Sequence, residues 1–96
     1  DCPALIRAAF ARYGLAWRGD EAVNVASCES GFNPNAQGGG GGNYGGLFQQ
    51  SMSYWPSRAA AMGFPGASVF DPWANASVSA QMVRADGDWG QWSCGP

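Results

Sequence analysis

In the stretch Ser27-Cys28-Glu29-Ser30-Gly31-Phe32-Asn33-Pro34 a lone glutamate closes an apolar segment, and the chain breaks directly after it. Glu29 continues the stripe Ala22, Val25, Ala26, so it falls on the face that looks toward the core. A carboxylate in that position loses solvation, which favours its neutral form. The last turn of a helix also carries the negative end of the dipole, which disfavours a second negative charge. No basic neighbour in sequence offsets either effect. A protonated general acid at neutral pH needs these conditions. The plainer reading, a helix-end carboxylate in water, leaves the stripe unexplained.

The other acids have structural work to do. Asp20 and Asp71 read as helix caps. Glu21 falls in a first turn, where negative charge is favoured. Asp86 and Asp88 flank Gly87 in a turn, and Asp1 is terminal. One acid is therefore left for chemistry, with no evident second carboxylate. The chain has no histidine, which removes His-based zinc sites, Ser-His-Asp triads and Cys-His pairs. Three cysteines are too few for an all-thiolate zinc site, so no metal and no cofactor is expected. In a small domain, Cys2, Cys28 and Cys94 read as one disulfide and a spare thiol, with three pairings open; the alternative is three reduced, buried thiols in a cytosolic protein.

The elements that must hold Glu29 are mostly helical. Residues 3–13 carry Ile6, Ala9, Phe10 and Tyr13 at helical spacing, with Pro3 at the start and Gly14 at the stop. A second helix is expected over 21–29, capped by Asp20 and ended by Ser30, Gly31 and Pro34. Residues 37–46 form a glycine-rich loop, either a connector or a lip over a cleft, with Asn43 and Tyr44 as its only large polar groups. It is no phosphate loop, because no Gly-Lys-Ser/Thr follows. The segment from Gly46 to Trp55 leads into a third helical region, restarted at Pro56. A fourth helix starts at Asp71-Pro72, with Trp73, Ala76, Ser77 and Ala80 on one face. The expected fold is mainly α, a single small domain over 1–96 with at most a short hairpin.

Charge narrows the partners. The formal net charge is −2, with five arginines, no lysine and no basic run. Binding to nucleic acid or to an anionic membrane surface through phosphate neutralisation is not expected. No stretch approaches the ~20 apolar residues of a membrane span. The chain opens on Asp1 with no charged-apolar leader, which reads as a mature or excised domain.

The run Ala26-Ser27-Cys28-Glu29-Ser30-Gly31-Phe32-Asn33-Pro34-Asn35-Ala36, followed by Gly45-Gly46-Leu47-Phe48-Gln49-Gln50, resembles the lysozyme-like superfamily. The Glu-Ser, Asn-Pro-x-Ala and Gly-Leu-Phe-Gln pattern is similar to soluble lytic transglycosylase domains. Cys28-Glu29-Ser30, Tyr44-Gly45-Gly46-Leu47 and the late Trp92-Ser93-Cys94 also resemble the resuscitation-promoting-factor domain of secreted actinobacterial proteins. Two departures stand out. Gln37-Gly38-Gly39 occupy a region where many transglycosylases carry a serine, and the tail offers Trp89 and Trp92 instead of a tyrosine.

The resemblance implies a secreted or wall-associated, monomeric glycosidase that cleaves peptidoglycan glycan strands between N-acetylmuramic acid and N-acetylglucosamine. It implies Glu29 as the acid/base, Gln49 in the sugar cleft, Ser30 supporting the loop, and a Cys28–Cys94 disulfide with Cys2 spare. Beside it, Tyr44 and Trp89 are candidate sugar contacts because both neighbour glycines in exposed-looking segments, and Asn75 is a candidate lining residue. With one carboxylate, lytic transglycosylation is slightly favoured over hydrolysis. The rival class is a non-catalytic sugar-binding or wall-anchoring domain.

Overall fold

Asp1 accepts a hydrogen bond from Ala4 N at 2.8 Å and Pro3 fills the first turn, so helix α1 begins at once and runs Cys2–Arg12. The computed structural model describes all of residues 1–96. Gly14, at φ 79°, supplies the left-handed turn that stops α1. A 3₁₀ turn over Ala16–Arg18 then runs straight into α2, Gly19–Ser30. The helix thus starts before Asp20, and Asp20 is no cap: it lies in the first turn and pairs with Arg7 at 2.7 Å on the surface. Gly31, left-handed at φ 61°, ends α2 where the sequence expects an end.

The segment after Gly46 departs from the sequence reading. No helix runs through it. Gln49 adopts φ 50°, which breaks any helix, and Gln50–Ser51 form a strand. Three two-residue strands make an antiparallel sheet in the order β1 (Gln37–Gly38), β2 (Tyr44–Gly45), β3 (Gln50–Ser51). Gly38 faces Tyr44, and Tyr44 faces Ser51. The expected hairpin around the glycine loop is present, with a third strand added. A short helix, α3 (Trp55–Ala61), follows with Pro56 in its first turn.

Helix α4, Pro72–Asp86, is capped by Asp71, which accepts from Ala74 N at 2.9 Å. It is not one-sided. Ala76, Ala80 and Val83 pack on one core with Ile6, Phe10, Val25, Phe48 and Trp89. Ala74, Val78 and Met82 pack on a second core with Trp55, Ala59 and Val69. A helix between two cores must be apolar or internally satisfied nearly all round. Trp73, expected on the buried face, is instead the exposed residue of its first turn. Ser77 is fully buried, and its hydroxyl has no partner.

The carboxy-terminal tail, residues 87–96, lies along α2. Arg18 donates to Gly87 O at 2.6 Å, and Trp89 Nε1 donates to Glu21 Oε1 at 2.8 Å. Cys94 N donates to Glu29 Oε2 at 3.1 Å, and Cys94 is disulfide-bonded to Cys28. Glu21 and Glu29 are about 12 Å apart along the helix axis. Five tail residues reach at most about 17 Å, so the tail follows α2 from first turn to last. About half of the chain is helical, as expected for a mainly α protein.

Candidate functional site

Glu29 enters the site from the last turn of α2. Its Oε2 accepts from Cys94 N and, at 3.4 Å, from Ser93 Oγ. Its Oε1 has no partner within the protein. The side chain is half-buried, not turned into the core. The apolar stripe is diverted there because α2 ends at Gly31, so the last turn overhangs a cleft and the tail closes only one side of it.

That cleft, about 310 Å³, is lined by Glu29, Gly39, Tyr44, Gln49, Gln91, Trp92 and Ser93. A second pocket of about 160 Å³ shares Tyr44, Gln49, Gln91 and Trp92 with it, so the two form one groove. Glu29 is the groove's sole carboxylate. Trp92 is fixed by Nε1 donating to Phe48 O at 2.9 Å and by an edge-on contact with Trp89, ring centroids 5.2 Å apart. Part of it stays exposed on the groove wall.

Gln49 is positioned by its own backbone. At φ 50° its amide nitrogen donates to Ala36 O at 3.1 Å and Gly46 O at 3.0 Å, which ties the turn to the start of β1. A non-glycine residue held left-handed costs of order 1–2 kcal/mol, and such conformations gather at functional sites. Gly38 accommodates this side chain, since a Cβ there would overlap Gln49 Oε1. Gly39 lies under the Tyr44 ring in the same way, so the glycine-rich segment lets Tyr44 fold back as the lip of the cleft. Asn43 closes the loop on itself by donating to Gly40 O at 2.6 Å, and it does not face the cleft.

Of the residues singled out from sequence, Glu29, Tyr44 and Gln49 come together in the cleft, and Cys28 and Cys94 form the disulfide beside it. Three others do not reach it. Ser30 Oγ donates back to Ala26 O at 3.0 Å within α2. Asn75 is fully buried: its Nδ2 donates to Gly45 O at 3.1 Å and Val69 O at 2.9 Å, and its Oδ1 accepts from Phe48 N at 2.9 Å. It fastens the sheet to α4. Trp89 is buried against Phe10 and Phe48, with its indole N–H spent on Glu21. That bond, chiefly, and then Arg18 hold the Glu21 carboxyl below the usual range, against the opposing effect of its partial burial.

Gln91, Trp92 and Ser93 were missed as cleft residues. The signal for them was the Cys28–Cys94 pairing, which places Ser93 beside Glu29. Cys2 is the free cysteine, half-buried, with its thiol donating to Phe32 O at 3.4 Å. No three His, Cys, Asp or Glu side chains gather as a metal site. Nor is any helix long and apolar enough to cross a membrane. Compared with protein-family models, curated proteins and solved structures, the chain matches none.

Proposed function

We propose that the groove cleaves glycan strands of peptidoglycan at the β-1,4 bond between N-acetylmuramic acid and N-acetylglucosamine, with Glu29 as the one acid/base. The carrying observation is that Glu29 is the groove's only carboxylate and has one oxygen committed and one free. When Glu29 is protonated, Oε2 accepts from the Cys94 amide as the carbonyl oxygen, so the proton resides on Oε1, the oxygen left without a partner in the protein. The resemblance of the Glu29–Ala36 and Gly45–Gln49 segments to lysozyme-like enzymes supports the same assignment.

The reaction follows from that geometry. Oε1–H donates to the glycosidic oxygen, the bond from that oxygen to the muramic carbon breaks, and oxocarbenium character develops on the ring. Glu29, now a carboxylate, takes the proton of the second nucleophile. No second carboxylate lines the groove to activate water. The sugar's own 6-hydroxyl is already held beside the reacting carbon and needs no such group. The reading is therefore lytic transglycosylation with a 1,6-anhydro product. Trp92 offers an indole surface to a sugar ring, and Tyr44 and Gln49 offer polar groups to its substituents. A disulfide in so small a chain suits an oxidising compartment, which supports an activity outside the cytoplasm.

The test is mass spectrometry of muropeptides released by the wild-type chain and by Glu29→Gln. The amide can still accept from Cys94 N, so the variant should fold, yet it cannot donate the acid proton. Cleavage should fall by about 100-fold or more, and wild-type products should carry ends lighter by one water. Reducing ends alone would make the enzyme a muramidase. Cell-wall binding without any cleavage by wild type would make the chain a non-catalytic binder.

A further inference from the structure

The second pocket contains the groove's one cation, Arg58, at the centre of α3. Four of the five arginines lie elsewhere, two of them in ion pairs: Arg7 with Asp20 and Arg18 with Glu21. Arg58 has no carboxylate partner. Neutral oxygens hold it instead: Nη1 donates to Gln50 Oε1 at 3.0 Å and Nη2 to Gln91 Oε1 at 3.3 Å. Its guanidinium also lies over the Tyr54 ring, 5.1 Å from the centroid.

Both amides are oriented from behind. Gln50, almost fully buried, donates from Nε2 to Ser79 Oγ at 2.8 Å and to Met82 Sδ at 3.2 Å, which turns its carbonyl toward Arg58. Ser79 is in turn fixed by donating to Asn75 O at 2.8 Å. Gln91 donates to Asp86 Oδ2, which points its oxygen the same way. The guanidinium is thus preorganised without being neutralised, and its remaining N–H groups are available to a bidentate anion. The chain as a whole is acidic, at −2, so an anion gains no general attraction and any preference must arise locally.

We propose that the Arg58 pocket is a carboxylate-binding subsite, which takes an acidic substituent of a glycan strand seated in the Glu29 cleft. This rests on the glycan-cleaving reading of that cleft. The shared Tyr44, Gln49, Gln91 and Trp92 wall makes the two pockets neighbouring stations for one ligand, one with the acid and one with the cation. On a muramic-acid strand the carboxylate is either that of the lactyl ether or one on an attached peptide. Strands of either kind are favoured over uncharged ones.

Equilibrium binding to the full chain carrying Glu29→Gln tests this, because the ligand then survives. Four soluble strands of matched length are compared: peptide-bearing, peptide-stripped with a free lactyl carboxylate, and each of these with its carboxylates converted to methyl amides. At least one carboxylate strand should bind about tenfold more tightly than its amide, and the advantage should shrink as salt rises. Which pair shows it identifies the carboxylate. Adding Arg58→Gln should bring the ratio close to one, and Arg58→Lys should keep part of it. A ratio near one in the Glu29→Gln chain, or a ratio that survives Arg58→Gln, overturns the subsite. Both results come without any Arg58 variant needing to be active, and the first needs no Arg58 variant at all. The glycosidase reading fails on a separate readout, absence of cleavage by wild type. Equal binding of charged and neutral strands by a chain that cleaves them removes only the subsite.

Discussion

Glu21 and Glu29 lie about two turns apart on α2, and both accept hydrogen bonds from the tail. Glu21 takes both of its donors on Oε1, the Trp89 indole and the Arg18 cation, with which it forms an ion pair at 2.8 Å. Glu29 is anchored through one oxygen and open through the other. The difference is charge and place: Arg18 balances Glu21 against the tail, whereas Glu29 has no cationic partner and lines the cleft, which makes Glu21 a latch and leaves Glu29 for the proposed chemistry. Because the folded-state pKa of Glu21 is lowered, its contribution to stability is present above the ordinary value of 4.5 and is lost as pH falls through the lower, folded value. Trp89→Phe removes the largest cause while keeping most of the ring packing. Urea unfolding at about pH 7 and about pH 3 should show a smaller acid loss for the variant than for wild type. Equal losses would mean the indole N–H does not couple to the carboxylate.

At the scale of elements, α4 holds the sheet. Asn75, Ser79 and Met82 recur at helical spacing and meet Gly45, Phe48 and Gln50. Strands of two residues have too few ladder bonds to persist alone, so their register depends on this helix. Gly46 marks how close the approach is: at φ 82°, a Cβ there would overlap Asn75 Nδ2 and Val69 O. Asn75→Ala would leave Phe48 N–H, Gly45 O and Val69 O without this partner. A stability loss of about 2–4 kcal/mol is expected by denaturant unfolding. A sugar-lining asparagine would behave in the opposite way, with weaker glycan binding at unchanged stability. The two outcomes are separable on one purified variant.

At the scale of the whole molecule, the Glu29 cleft exists only where three distant parts of the chain meet: the end of α2, the sheet, and the tail. The disulfide joins the first to the last across 66 positions of sequence. In the chain-entropy model a loop of that size corresponds to about 4 kcal/mol of stability. Replacing Cys28 and Cys94 by serine should lower the melting temperature clearly. On the proposed reading of the cleft it should also reduce glycan cleavage at temperatures where the variant is still folded, because Cys94 N and Ser93 Oγ would no longer be held on Glu29. Loss of stability with full activity in the folded state would show that the tail reaches its place without the bond.

Much of this was legible in local chemistry. Asp71-Pro72 capping α4, and Gly14 and Gly31 ending α1 and α2, depend on a few neighbouring residues, so sequence determines them. Asp20 misled because a cap depends on where the preceding turn enters, and the 3₁₀ turn before α2 moved that point. Gln50, Asn75, Trp89 and Trp92 were decided by the tertiary structure alone. A polar or aromatic side chain lines a cleft or fills a core according to what packs beside it. Here α4 lies between two cores and the tail lies along α2, so Asn75 and Trp89 are buried with their polar groups paired. Trp92, three residues further along the tail, keeps part of its ring on the groove because the chain by then has reached the end of α2, where the covering helix stops.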